Sequence, residues 1–219
     1  MSLVRRSAKW LARAIAVSLV ALLPCSIYLP PWHIFTIADG HVVPLGVSPA
    51  APVDPQAPSP PSLADLPGDW YIADLAWADV TNDGSPELAL LVWRPWRDWP
   101  IQRWVTVPSP ISGFQDEEGL SCQVILIDPA SGREIWAGSA LPKPLLTLDV
   151  GDVDGDGRNE LVALEGDYSS APYGAATHLD IWRWQGFGFI LESRSRVPAF
   201  HQAGLTDRTN DGILDIALR

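Results

Sequence analysis

Asp152-Val153-Asp154-Gly155-Asp156-Gly157-Arg158-Asn159-Glu160-Leu161 is the stretch from which the rest of this 219-residue chain can be read. Carboxylates stand at its positions 1, 3, 5 and 9, and Gly157 at position 6 permits a sharp turn. Four like charges packed this closely repel one another unless a cation lies among them. Alternating apolar residues flank the segment, Leu148 and Val150 before it and Leu161 and Ala163 after it. Period two means strands, so the acidic segment is a loop joining two of them.

Two further segments align with it: Asp79-Val80-Thr81-Asn82-Asp83-Gly84-Ser85-Pro86-Glu87-Leu88 and Asp207-Arg208-Thr209-Asn210-Asp211-Gly212-Ile213-Leu214-Asp215-Ile216. Leu75 and Trp77, then Leu88 and Leu90, flank the first; Ala203 and Leu205, then Ile216 and Leu218, flank the third. A second hairpin follows each of the first two loops. One runs from Val124–Asp128 through Pro129-Ala130-Ser131-Gly132 into Glu134–Ala137, the other from Leu179–Trp184 through Gln185-Gly186 into Phe187–Glu192. The repeating unit is four strands with an acidic loop between the first two.

A hard cation takes six to eight oxygen ligands, which a tight loop supplies from alternate positions. In the second loop these are Asp152, Asp154, Asp156 and Glu160, with the carbonyl of Arg158 at position 7. The first loop offers Asp79, Thr81, Asp83, Ser85 and Glu87, the third Asp207, Thr209, Asp211, Ile213 and Asp215. Both are weaker sites, because Thr replaces a carboxylate at position 3. An EF-hand would place helices around the loop and Glu at position 12, where Ala163 stands. Carboxylate and carbonyl oxygen suit Ca, Mg or Mn rather than Zn or Cu, and calcium (Ca2+) fits an export compartment.

The Asp-x-Asp-x-Asp-Gly-x-x-Glu loop between strands, followed by a hairpin and recurring, resembles the FG-GAP or VCBS repeats that build calcium-containing β-propellers such as that of integrin α subunits. The resemblance covers residues 68–219. The second loop matches well and the other two in part; of the signatures that name the family, only Gly186-Phe187-Gly188 and Ala171-Pro172 stand near. It implies an all-β fold of propeller-like blades and a role in extracytoplasmic binding or assembly, not catalysis. Two blades and the first half of a third are encoded from residue 68 onward. Such a stack leaves sheet edges and apolar faces open. A protein partner, as a second copy or another subunit, would complete it, and a hairpin around Asp39-Gly40 could add strands to the unfinished blade.

The N-terminus has a different composition. Arg5, Arg6, Lys9 and Arg13 precede an uncharged run from Ala14 to Ala38. Trp10 to Leu29 is long enough, as a helix, to cross a hydrocarbon core of ~30 Å. Leu22-Leu23-Pro24-Cys25-Ser26 lacks the small residues a cleavage site wants, and Pro24 suits a lipidated Cys25 poorly. Residues 1–30 therefore read as a basic cytoplasmic tail and an uncleaved transmembrane signal anchor, with the remainder outside. Residues 31–67 read as a possible hairpin, the alternative being coil, and a proline-rich spacer with eight prolines between 44 and 67. Residues 68–219 are the blade domain.

A net charge of minus 11, with no dense basic cluster beyond the extreme N-terminus, excludes nucleic acid as a partner. Two cysteines exclude a disulfide framework. His33, His41, His178 and His201 are scattered, and no nucleophile elbow or phosphate loop is present. Trp93, Trp96, Trp99 and Trp104 lie among Arg94, Arg97 and Arg103 in one insertion, a setting for docking a sugar, protein or lipid headgroup, with core packing as the alternative for Trp93. Trp77, Trp136, Trp182 and Trp184 fall in strands and read as core. The resulting expectation is a single-pass membrane protein with a binding or assembly role, as an accessory subunit, a glycan-binding or adhesion module or, third, a polysaccharide-acting enzyme.

Overall fold

The computed structural model describes residues 30–52, 66–96 and 113–219. The anchor expected within residues 1–30 and most of the spacer lie outside them, as do Trp99 and Trp104. Among the described residues no helix is long and apolar enough to cross a membrane. Twelve strands are present: β1 Trp32–Ala38, β2 His41–Ser48, β3 Tyr71–Ala78, β4 Glu87–Pro95, β5 Leu120–Asp128, β6 Arg133–Ala137, β7 Leu145–Gly151, β8 Glu160–Glu165, β9 His178–Trp184, β10 Phe189–Arg196, β11 Ala203–Thr206 and β12 Asp215–Leu218.

They form three four-stranded antiparallel sheets, in the orders β3-β4-β5-β6, β7-β8-β9-β10 and β11-β12-β1-β2. The first two are consecutive meanders, as the alternating pattern predicts. The third overturns the count of two and a half units and meets the expectation for the hairpin around Asp39-Gly40, which supplies the missing half. Asp39 and Gly40 both take positive φ, 52° and 73°, the backbone a two-residue hairpin turn requires. Through β1 the hairpin pairs with β12, setting His33 opposite Leu218, Ile34 opposite Ala217 and Phe35 opposite Ile216. β2 continues through Pro44 to Ser48, so the start of the proline-rich stretch belongs to the sheet. Pro44 is tolerated because β2 is an edge strand, where no neighbour needs its missing N–H.

The first strands of the sheets lie side by side, β3 beside β7 and β7 beside β11. Each junction carries the same device. Asp74 on β3 accepts the N–H of Leu148 on β7 at 3.0 Å, and Asp149 on β7 accepts the N–H of Leu205 on β11 at 3.0 Å. Strands from different sheets share no ladder, so these carboxylates satisfy backbone donors that would otherwise be orphaned. Burial raises the Asp74 carboxyl above its usual range despite these bonds.

Apolar faces meet between the sheets. Leu91, Trp93, Cys122, Val124 and Leu126 of the first pack on Leu145, Leu148, Val150 and Leu161 of the second. Val162, Leu164, Leu179 and Ile181 on the second sheet's other face pack with Leu205, Ile216 and Leu218 of the third, joined by Phe35, Ile37 and Val42 of the hairpin. Trp93 is thus a core residue, edge-on to Tyr168 at 5.7 Å. Trp136, Trp182 and Trp184 also pack on the first interface and Trp77 on the opposite face of the first sheet, as expected.

Candidate metal centre

The three acidic loops join β3 to β4, β7 to β8 and β11 to β12. Their backbones repeat closely. Position 4 has positive φ in each, at Asn82, Gly155 and Asn210, and so does the glycine at position 6, Gly84, Gly157 and Gly212. Only Gly and Asn enter that region readily, which is why these residue types stand there.

Carboxylates close each turn by the same bonds. The position-1 Asp accepts the N–H of position 6, from Gly84 to Asp79 at 2.8 Å, Gly157 to Asp152 at 2.9 Å and Gly212 to Asp207 at 3.0 Å. The position-5 Asp accepts the N–H of position 7: Ser85 to Asp83, Arg158 to Asp156 and Ile213 to Asp211. The position-9 acid, first residue of the following strand, reaches back to the N–H of position 2: Val80 to Glu87, Val153 to Glu160 and Arg208 to Asp215. This last contact draws a buried carboxylate under each loop.

Adjacent loops touch. Asn82 and Asn159 exchange bonds: the Asn159 N–H donates to Asn82 Oδ1 at 2.7 Å, Asn82 Nδ2 donates to the Asn159 carbonyl at 3.3 Å, and Asn159 Nδ2 donates to the Asp79 carbonyl at 2.9 Å. At the next junction the Leu214 N–H donates to the Asp152 carbonyl at 2.8 Å. A side chain on Gly155 would strike Ile213. The loops are therefore one continuous row along one end of the sheets.

Among the described residues two acidic triads converge with oxygens within 4.8 Å of one another, and either could hold a metal ion: Asp79, Asp83 and Glu87, and Asp152, Asp154 and Glu160. Asp207, Asp211 and Asp215 of the third loop form no such triad among the described residues. The triads differ in what already satisfies them. Glu87 receives three hydrogen bonds, from the Val80 and Thr81 N–H groups and, at 2.9 Å, from the Thr81 hydroxyl. In the third loop the Thr209 hydroxyl bonds the position-5 Asp211 instead, and it is the Thr36 hydroxyl on β1 that reaches Asp215.

Asp154 occupies the corresponding place in the second loop, a carboxyl where the first loop has a hydroxyl. Glu160 is 1% exposed, accepts only the longer 3.3 Å bond from Val153, and its Oε1 accepts no hydrogen bond. Burial first, then the charges of Asp154 and Asp156, push its carboxyl up to about 7. A buried carboxylate oxygen that accepts no hydrogen bond and meets only a guanidinium at 3.4 Å, beside two further carboxylates, is a donor set for a hard divalent cation.

Asp156 stands apart from the triad, its Oδ2 3.1 Å from the Arg183 guanidinium. Arg183 is a neighbour that the sequence reading missed. Alternation places it on a strand, but only the pairing of β8 with β9 sets it opposite Glu160.

No protein-family model, curated protein or solved structure matches this chain.

Proposed function

We propose that the protein is a membrane-anchored, extracytoplasmic calcium-binding β-blade protein that acts in protein binding or assembly, with the second loop as its principal cation site. The observation that carries this reading is the convergence of Asp152, Asp154 and Glu160, whose buried Oε1 accepts no hydrogen bond and is faced by the Arg183 guanidinium at 3.4 Å. The cation is structural: it neutralises the most acidic loop of a continuous row and so fixes both junctions between the sheets. The side-by-side first strands and the meander order support a propeller-like arrangement of blades.

A binding role draws support from the surface. Edge strand β2 presents Val43, Leu45 and Val47 to solvent at 38, 51 and 59% exposure, an apolar edge of the kind a partner covers. A glycan-binding variant of the reading is favoured by the rim where Trp136, Trp184 and Phe189 meet edge-to-face at 5.3 to 5.6 Å and Phe187 projects 90% exposed. Catalysis is no part of the reading. The buried acids away from the loops, Glu165 and Asp180, are both tied to Arg194.

The test is thermal unfolding of the full-length chain in detergent with calcium or a chelator. Calcium at about 100 times its dissociation constant is expected to raise Tm by roughly 5 to 10 °C. The double substitution Asp154→Asn, Asp156→Asn should abolish that rise; an unchanged Tm in the unsubstituted chain would remove the calcium site. Mild-detergent purification with and without chelator then separates a stoichiometric protein partner from a lone glycan-binding monomer.

A further inference from the structure

The carboxylates of the second loop already face a cation within the chain. Nη2 of Arg183 on β9 lies 3.1 Å from Asp154 Oδ2, 3.1 Å from Asp156 Oδ2 and 3.4 Å from Glu160 Oε1. Two of these residues belong to the triad, and the third is the Asp that the loop pattern makes a ligand. Nε of the same guanidinium lies 3.0 Å from Glu192 Oε1 on β10. Arg183 thus bridges two acidic surroundings, the loop on one side and Glu192 on the other.

We propose that Arg183 is a built-in competitor for the cation of the second loop: a divalent ion that takes Asp154 and Glu160 displaces the guanidinium, which then rests on Glu192 alone. The inference rests on the calcium reading above and adds what sets the affinity. A guanidinium stays charged across the physiological range, so its competition is not relieved by pH. An ion bound at the triad must break the two contacts from Asp154 and Glu160 to Arg183 or tolerate a positive neighbour at close range, and either weakens binding. Release of the guanidinium also frees Asp156, which stands outside the triad, to serve the loop as the spacing predicts.

Among the described residues neither of the other loops has this arrangement. Thr36, a neutral donor, reaches Asp215 from β1. In the first sheet Ile127 is the register partner of Leu88, and the residue that follows it toward the Glu87 end is Asp128, an acid.

Calcium titration against a chromophoric chelator, on the full-length chain in detergent micelles, decides the matter with two substitutions of opposite expected sign. Arg183→Gln should bind calcium about tenfold more tightly than the unsubstituted chain. Glu192→Gln leaves every loop carboxylate in place but removes the resting place of the guanidinium, and should bind about threefold more weakly. Unchanged or weaker binding by Arg183→Gln overturns the proposal, weaker binding marking Arg183 as a residue that positions the loop. If Arg183→Gln does not fold, Glu192→Gln decides alone: weakened binding supports competition and unchanged binding overturns it. Equal binding by all three chains defeats the competition and leaves the calcium site standing, whereas no uptake by any of them defeats the calcium reading itself.

Discussion

Glu87 and Glu160 hold the same place in two loops with the same backbone turns, and the protein treats them differently. Glu87 sits under a loop that closes on itself: two N–H groups and the Thr81 hydroxyl converge on its carboxylate. Glu160 sits under a loop in which that hydroxyl is replaced by Asp154, and what faces it is positive charge from outside the loop, Arg183. One residue at position 3 separates a polar turn satisfied from within from one whose clustered carboxylates could hold a cation. Repeats that look equivalent by glycine placement can therefore differ in chemistry, because the backbone depends on positions 4 and 6 while the charge balance depends on positions 3 and 9.

The contrast extends to the other end of the same strands. β8 runs from Glu160 to Glu165, and the position on β4 that matches Glu165 is Val92. Glu165 is buried beside Asp180, with Arg194 and His178 as partners, and burial followed by the Asp180 charge pushes its carboxyl up to about 7. The second sheet thus carries buried charge at both ends of β8, and the first relies on apolar packing and neutral donors.

Replacing Glu87 by Ala should cause the largest effect, about 3 kcal/mol, since it orphans one buried and two part-buried donors at once. Urea unfolding should show the same loss with calcium or chelator; rescue by calcium would break the contrast. Thr81→Asp should convert the first loop to the second's chemistry, destabilising the chain by about 2–3 kcal/mol in chelator and restoring it with calcium.

Glu165 provides a pH test of the second sheet. Its folded carboxyl holds a proton where the unfolded chain has lost it, so its contribution is fully present below the usual glutamate range and is lost as pH rises toward about 7. With calcium present, stability should fall by about 2 kcal/mol between pH 5 and pH 8, and Glu165→Gln should remove that fall. A pH-independent difference between the two chains would overturn the assignment. The smallest effect belongs to the contact between the loops. Asn82→Gly keeps the positive φ and deletes the side-chain bonds to Asn159, with an expected cost of about 1 kcal/mol in urea unfolding.

Much of the candidate site was legible in the residues, for definite reasons. Gly84, Gly157 and Gly212, with Asn82, Gly155 and Asn210, announce backbone that other residues resist, so the loops and their register along the chain could be placed. Alternation of Leu75 and Trp77, or Leu161 and Ala163, announces strands because side chains in a strand alternate between faces. Asp39-Gly40 announces a turn for the same conformational reason as the loops.

What these local signals could not carry is the identity of distant neighbours. That β1 pairs with β12 and makes the third sheet whole follows from burying Phe35, Ile37 and Val42 against Ile216 and Leu218, a long-range choice. That Asn82 meets Asn159, and that Arg183 stands over Asp154, Asp156 and Glu160, is fixed by how neighbouring strands align. The sequence determined by itself the strands, the turns and the acidic loops, because each rests on the preferences of a few consecutive residues. Only the tertiary structure decided which positive charge faces Glu160 and which hairpin completes the third sheet, since Arg183 and β1 reach their neighbours through strand pairing.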